Sequence, residues 1–220
     1  WPNNIVAKRK IPNRSVIFIN VGEEFKIEEN IKMTFVQPMN GQGHLSKTKI
    51  PDASDDIVLD TAVLIECADE KILFLCDNFP WDYTNLEKII ASKISNCKII
   101  FAPFNSFADD YPVCFDNFTK IEKLDISTKR NNKRLKSLSE FINCFQPQHV
   151  VPYSSDFFIK GKRAIEFDEC HPDDFKSRKD FSKKLSMYAR CPILPVSTNQ
   201  TIYVKSSEVE LEGEYVETNF

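Results

Sequence analysis

The chain has no long apolar run. No stretch approaches the roughly 18 consecutive apolar residues that a membrane helix needs, so a membrane span is not expected. Its 7 cysteines include no C-x-x-C pair, which argues against a zinc knuckle. An odd count with several members in apolar runs reads as small packing residues, and as reduced thiols rather than a disulfide framework. Only 3 histidines are available to activate a nucleophilic thiol. There is no excess of basic charge: 29 Lys and Arg stand against 32 Asp and Glu, a net charge of −3. The electrostatic footprint of a nucleic-acid-binding domain is therefore missing, and nucleic acid is not expected as a partner. The opening Trp1-Pro2-Asn3-Asn4 has neither an initiator Met nor the apolar core of a signal peptide. A piece of a longer, cytoplasmic protein is the expectation. No internal repeat is visible.

What is present is ordinary for a globular domain. Of 220 residues, 42% are hydrophobic and 28% charged, and the 18 phenylalanines suit a thick core between layers. One domain is expected over residues 1–205, followed by an acidic tail at 206–220. Residues 208–220 hold five glutamates and are expected to fray.

The organising stretch is 60–82, D-T-A-V-L-I-E-C-A-D-E-K-I-L-F-L-C-D-N-F-P-W-D. Apolar runs at 62–65 and 72–76 flank a polar link at 67–70 and read as a buried hairpin. The second run ends in Cys76-Asp77-Asn78. A carboxylate at the end of a buried strand is expensive unless a metal ion, a cation or several N–H donors offset it. The alternative is that Asp77 only caps the next turn.

Residues 1–14 read as an extended lead-in, and 15–21 (S-V-I-F-I-N-V) as a strand. Gly22-Glu23-Glu24 turns the chain. Strands follow at 25–27 and 31–36, with Ile31, Met33 and Phe35 on one face. Residues 37–56 form a long polar connection carrying Gly41, Gly43 and His44. A connection of that length is more often functional than idle.

Thr84-Asn85-Leu86-Glu87 has the pattern of a capping box and predicts a helix with Leu86, Ile89, Ile90 and Ile94 inward. A strand at 98–101 comes next, then an aromatic loop at 103–118. Alternating strand, helix and strand points to a crossover unit. The basic run 129–136 (K-R-N-N-K-R-L-K) leads into a helix with Leu135, Leu138, Ile142 and Phe145 on its inner stripe. It reads either as a phosphate-binding patch or as a solvated helix start. The acidic balance of the whole chain favours the latter. A strand is expected at 148–152, with Tyr153 and Asp156 just past its carboxyl end, where α/β layers place ligands. His171-Pro172-Asp173-Asp174 is expected to start a helix with Phe181, Leu185 and Tyr188 inward. A last strand is expected at 201–204.

R-S-V-I-F-I-N-V-G-E-E-F-K-I-E-E-N-I-K-M-T-F-V resembles the middle of a metallo-β-lactamase-fold domain, where two strands precede a histidine. His44 stands at that histidine's place. The hairpin A-V-L-I-E-C…K-I-L-F-L-C-D-N resembles the next block, whose strand ends in a metal-bridging aspartate; that residue maps to Asp77. F-N-S-F-A-D-D-Y-P-V-C-F-D-N and H-V-V-P-Y-S-S-D-F-F-I are similar to the branch holding CMP-N-acetylneuraminate hydroxylase-like proteins. Ascorbate-6-phosphate lactonase-like and N-acylphosphatidylethanolamine phospholipase-like hydrolases are more distant kin. The likeness covers roughly residues 15–160.

The resemblance implies an α/β fold, the C-terminal two-thirds of an αββα sandwich with mixed sheets and outer helices. It implies a divalent metal (zinc, or iron or manganese) whose bound water attacks an ester, lactone or phosphodiester. His44 would be a terminal ligand and Asp77 the bridge, with Tyr153 and Asp156 as general-acid candidates by position. The departures are as informative. The H-x-H-x-D-H cluster of the family is not in these residues. Pro152 is followed by Tyr153-Ser154 rather than a ligand histidine, and no ligand role carries over to His149. The paired C-x-H and C-x-x-H segments of a Rieske cluster are also lacking.

Two ligands do not complete a catalytic site, so this chain alone is expected to hold little metal. A missing N-terminal segment or a partner chain, and a small-molecule substrate, are implied. Three readings follow, in order. The chain is part of a metal-dependent hydrolase of a phosphate- or sugar-containing small molecule. Or it is a non-catalytic relative binding a ligand near Asp77, Tyr111 and Tyr153. Or it is one module of a sialic-acid-hydroxylase-like oxygenase.

Overall fold

The computed structural model describes residues 19, 21–36, 39, 61–76, 79–104, 115–153, 165, 169–205 and 208–216. The expected strand at 15–21 lies outside these residues apart from Ile19 and Val21. The α/β architecture with a mixed sheet and outer helices is as expected.

Six strands form one sheet in chain order. β1 (Glu24–Glu28), β2 (Ile31–Val36), β3 (Ala62–Cys67) and β4 (Glu70–Phe74) run antiparallel to their neighbours. β5 (Ile99–Pro103) and β6 (His149–Tyr153) then continue parallel to β4. The polar link expected at 67–70 shrinks to two residues. Cys67 pairs with Glu70 and Glu66 with Lys71, so opposite charges face each other across the hairpin and extend both strands. Ala68 takes the tight turn at φ 53°.

Helices cover one face of this sheet. α1 (Lys88–Ile94) connects β4 to β5, α2 (Lys120–Phe145) connects β5 to β6, and α3 (Arg178–Ser186) follows. Leu64, Leu73, Ile100 and Val150 from the strands, with Leu75 just past β4, meet Ile90, Ile94, Leu138, Phe141, Ile142 and Leu185 from the helices in one core. Full burial of each such side chain contributes about 1.5–3 kcal/mol. On the opposite face a hairpin of β7 (Thr201–Val204) and β8 (Val209–Glu212) packs over Ile99 and Val151 through Ile202, Val204 and Val209. Among the described residues no helix is long and apolar enough to cross a membrane.

In β2, Ile31, Met33 and Phe35 share one half-buried face as expected, and Thr34 and Val36 point into the helix-covered core. Several other expectations are corrected. The capping box at 84–87 does not form. Tyr83–Asn85 is a 3-10 turn, and α1 starts later, after Glu87, with no side-chain cap. That delay turns Ile89 outward, 70% exposed, while Leu86, Ile90 and Ile94 stay buried. The basic run is not a helix start. It sits inside α2, which begins at Lys120 with a complete capping box between Thr119 and Glu122. Pro172 precedes only a 3-10 turn, Asp173–Phe175, and α3 takes Ser177 as its own cap. Phe181 and Leu185 are buried as expected, but Tyr188 lies past the end of α3 and is 51% exposed. The stretch expected to fray contains β8, held on β7 and supported by a Lys205–Glu210 ion pair of 2.5 Å.

Candidate functional site

Because β4, β5 and β6 are parallel, their carboxyl ends open on one edge, the side on which α/β sheets bind ligands. The β4 ladder ends when the Leu75 N–H donates to the Phe101 carbonyl at 3.0 Å. Cys76 then turns at φ 52°. A branch-free but non-glycine residue in that region carries backbone strain, which sets the direction of the chain immediately before Asp77. Asp77, His44, Asp156 and Tyr111 lie outside the described residues.

Tyr153 is described. It is the last residue of β6, and its carbonyl accepts the Phe104 N–H at 2.7 Å. Its ring meets Phe101 edge-on, with centroids 6.3 Å apart. By strand alternation it shares a face with His149 and Val151, the face of the β7–β8 hairpin rather than that of α2. Of the expected site residues, Tyr153 alone is thus among those described. The described residues contain no group of three or more His, Cys, Asp or Glu able to hold a metal ion.

The helix that borders this edge supplies what the sequence reading missed. The 26 residues of α2 span about 39 Å, against about 16 Å for a five-residue strand. Its carboxyl end is anchored at the amino end of β5, where the Asn96 N–H donates to the Phe145 carbonyl at 2.8 Å. Its middle is anchored where the chain leaves β4: Ser137 Oγ donates to the Pro80 carbonyl at 2.7 Å. Nearby, Lys133 Nζ lies 5.3 Å from the Trp81 ring centroid and Arg134 Cζ 5.8 Å from that of Phe79. The amino-terminal half of α2 therefore runs past the carboxyl ends of the described strands.

That projecting half is polar on its inner side. Lys123 is 2% exposed, and Ser127 and Asn131 are buried with it. Asn131 Nδ2 donates to Ser127 Oγ at 3.4 Å, and Ser127 Oγ lies 3.4 Å from Nδ1 of the buried His171. Burial holds the Arg134 guanidinium pKa below its ordinary value. The signals were in the sequence: T-K-I-E at 119–122 is a capping box, and Lys123, Ser127, Arg130 and Arg134 follow one helical stripe.

His149 and the buried thiols of Cys97 and Cys191 lie apart from this edge. His149 opens β6 on the opposite, amino-terminal edge, beside the buried Lys98. Lys98 Nζ lies 3.8 Å from a Glu70 carboxylate oxygen. Burial, opposed by the Lys98 backbone carbonyl and reinforced by the Lys98 charge, lowers the imidazole pKa. Burial pushes the thiol of Cys97 up to about 12 and that of Cys191 up to about 11. Such thiols stay protonated and inert, in keeping with their reading as packing residues.

No family model matches this chain, and no curated protein matches it. Among solved structures it is similar to the metallo-beta-lactamase fold protein YhfI from Bacillus subtilis, at 8% identity and a TM-score of 0.41, over 89% of this chain and 55% of that one. It is also similar to a proposed metal-dependent hydrolase from Parabacteroides distasonis, at 12% identity and a TM-score of 0.35, over 87% of this chain and 60% of that one. The chain thus spans less than two-thirds of either protein. At these scores neither likeness bears on what the chain does.

Proposed function

We propose that this chain is part of a metal-dependent hydrolase with a metallo-β-lactamase-like sandwich, acting on a phosphate- or sugar-containing small molecule. The observation that supports it most is the abrupt left-handed turn at Cys76, at the carboxyl edge of three parallel strands, directly before Asp77. Asp77 is the proposed bridging ligand and His44 the proposed terminal one. The described residues hold no group of three or more metal-donor side chains, and the family likeness leaves the remaining ligands to another segment or a partner chain. No catalytic step is assigned to the residues described here.

The test is metal analysis of the full-length protein with and without Asp77→Ala. Loss of bound metal together with hydrolytic activity is the expected result; unchanged metal content and activity would refute the assignment. Any sequence encoded upstream of Trp1 would separate the competing readings. An H-x-H-x-D-H cluster there favours the hydrolase, and a Rieske pair favours the oxygenase module. Neither motif would favour a non-catalytic binding protein.

A further inference from the structure

In the chain, Asp77 and Asn78 are all that separates two anchored stretches. On one side, the Leu75 N–H is bonded to the Phe101 carbonyl of β5, and Cys76 takes its left-handed turn. On the other, residues 79–83 form a strap along the middle of α2. Ser137 Oγ donates to the Pro80 carbonyl at 2.7 Å. Lys133 Nζ stands 5.3 Å from the Trp81 ring centroid, and Arg134 Cζ 5.8 Å from that of Phe79. The Phe79 and Trp81 rings pack together with centroids 4.6 Å apart, and Tyr83 meets Phe141 and Phe145 edge-on. The strap also holds a second segment. The Asp82 N–H donates at 2.7 Å to the carbonyl of the buried Met39, five residues before His44.

Ser137 is the telling member of this attachment. A serine inside a helix commonly bonds back to its own helix, as Ser139 Oγ does to the Lys136 carbonyl at 2.9 Å. Ser137 reaches outward instead. Pro80 is buried, so its carbonyl needs a partner, and its ring fixes its own φ. One hydroxyl thus ties a stiff point of the strap to a long, capped helix. Fully extended, two residues span about 7 Å and five about 17 Å. The tie at Phe79 therefore restrains Asp77 closely, and the tie at Met39 restrains His44 more loosely.

We infer that Ser137 is a positioning residue of the candidate metal site. Through Pro80 it holds the strap that restrains Asp77 and, by way of Met39, the connection carrying His44. It acts through the backbone and not as a ligand. The inference rests on the hydrolase reading for the identity of the two ligands, and it adds that their placement is set from α2.

The experiment compares Ser137→Ala, Ser137→Thr and Ser139→Ala with the unaltered full-length protein. Alanine is the better helix former, so a loss in Ser137→Ala cannot be ascribed to a weakened helix. Two quantities are read: amide exchange at Asp82, and zinc affinity by titration against a competing chelator. Ser137→Ala should speed the exchange and weaken zinc binding, each roughly fivefold, as removal of one neutral hydrogen bond does. Ser137→Thr keeps the hydroxyl and should return both towards the unaltered values. Ser139→Ala should change neither. Unchanged exchange at Asp82 in Ser137→Ala overturns the inference, and that readout needs no metal. Zinc affinity unchanged in Ser137→Ala but lost in Asp77→Ala overturns it as well. Zinc affinity that Asp77→Ala does not alter, with faster Asp82 exchange in Ser137→Ala, would refute the hydrolase reading while supporting the hold of Ser137 on the strap.

Discussion

Lys71 on β4 reaches under the end of α1 and donates to the Ser95 carbonyl at 2.7 Å; the same ammonium also reaches the Lys93 carbonyl at 2.9 Å. These carbonyls belong to the last turn of a seven-residue helix, where intrahelical partners run out. A cation there satisfies them and complements the helix dipole. Lys71→Met keeps the aliphatic stem and removes only the donors. The expected cost is about 1–2 kcal/mol, given a partly exposed charged hydrogen bond. Urea unfolding should show a lower midpoint at an unchanged slope.

Thr119 decides where α2 begins. Its hydroxyl accepts the Glu122 N–H at 3.3 Å, and the Glu122 carboxylate accepts the Thr119 N–H at 2.8 Å. That reciprocal bond holds the Glu122 carboxyl below its usual pKa. Thr119→Ala should fray the first turn without unfolding the sheet. Amide exchange should speed up at residues 120–124 and stay slow in β4–β6. Uniform acceleration across both would contradict a local role.

His149 sets a pH dependence with a definite sign. Burial lowers its pKa in the folded chain, so the unfolded chain binds the proton first as pH falls. Its contribution to stability is full above the ordinary histidine value of about 6.5 and declines as pH drops below it. His149→Phe should flatten that decline between pH 7 and pH 5 relative to the unaltered chain. Denaturant midpoints across this range measure it, and parallel curves for the two proteins would rule His149 out.

The cysteines should react in the order of their exposure. Cys67 and Cys144 are exposed, whereas Cys97 and Cys170 are buried. With a thiol reagent at pH 8, the first two should label rapidly. Cys97, whose thiol donates to the Ile94 carbonyl at 3.1 Å, should label only on unfolding. Rapid labelling of Cys97 in the folded protein would show that the core opens locally.

Much of the architecture was legible because strand patterns are local. Residues 31–36 and 201–204 alternate or run apolar over their full length, and β2 and β7 match them end to end. The β3–β4 hairpin and the strand–helix–strand order were legible for the same reason. What misled was competition between local signals. T-N-L-E at 84–87 and T-K-I-E at 119–122 are equally good capping boxes on paper, yet only the second forms. At the first, Tyr83–Asn85 winds as a 3-10 turn instead, with the Tyr83 ring packed edge-on against Phe141 and Phe145. The acidic stretch after 205 looked too charged to order, but alternate residues Val209 and Leu211 give β8 enough apolar surface to pair with β7.

The sequence by itself determined strands β1 to β7, because each follows from neighbours within a few residues, and the lack of an overall basic character, which is a sum over the chain. Tertiary structure alone decided that Tyr153 faces the hairpin side and that the inner stripe of α2 carries cations just where the sheet stops. No local pattern specifies that boundary. It arises from a 26-residue helix lying against five-residue strands, so that the helix outruns the described strands.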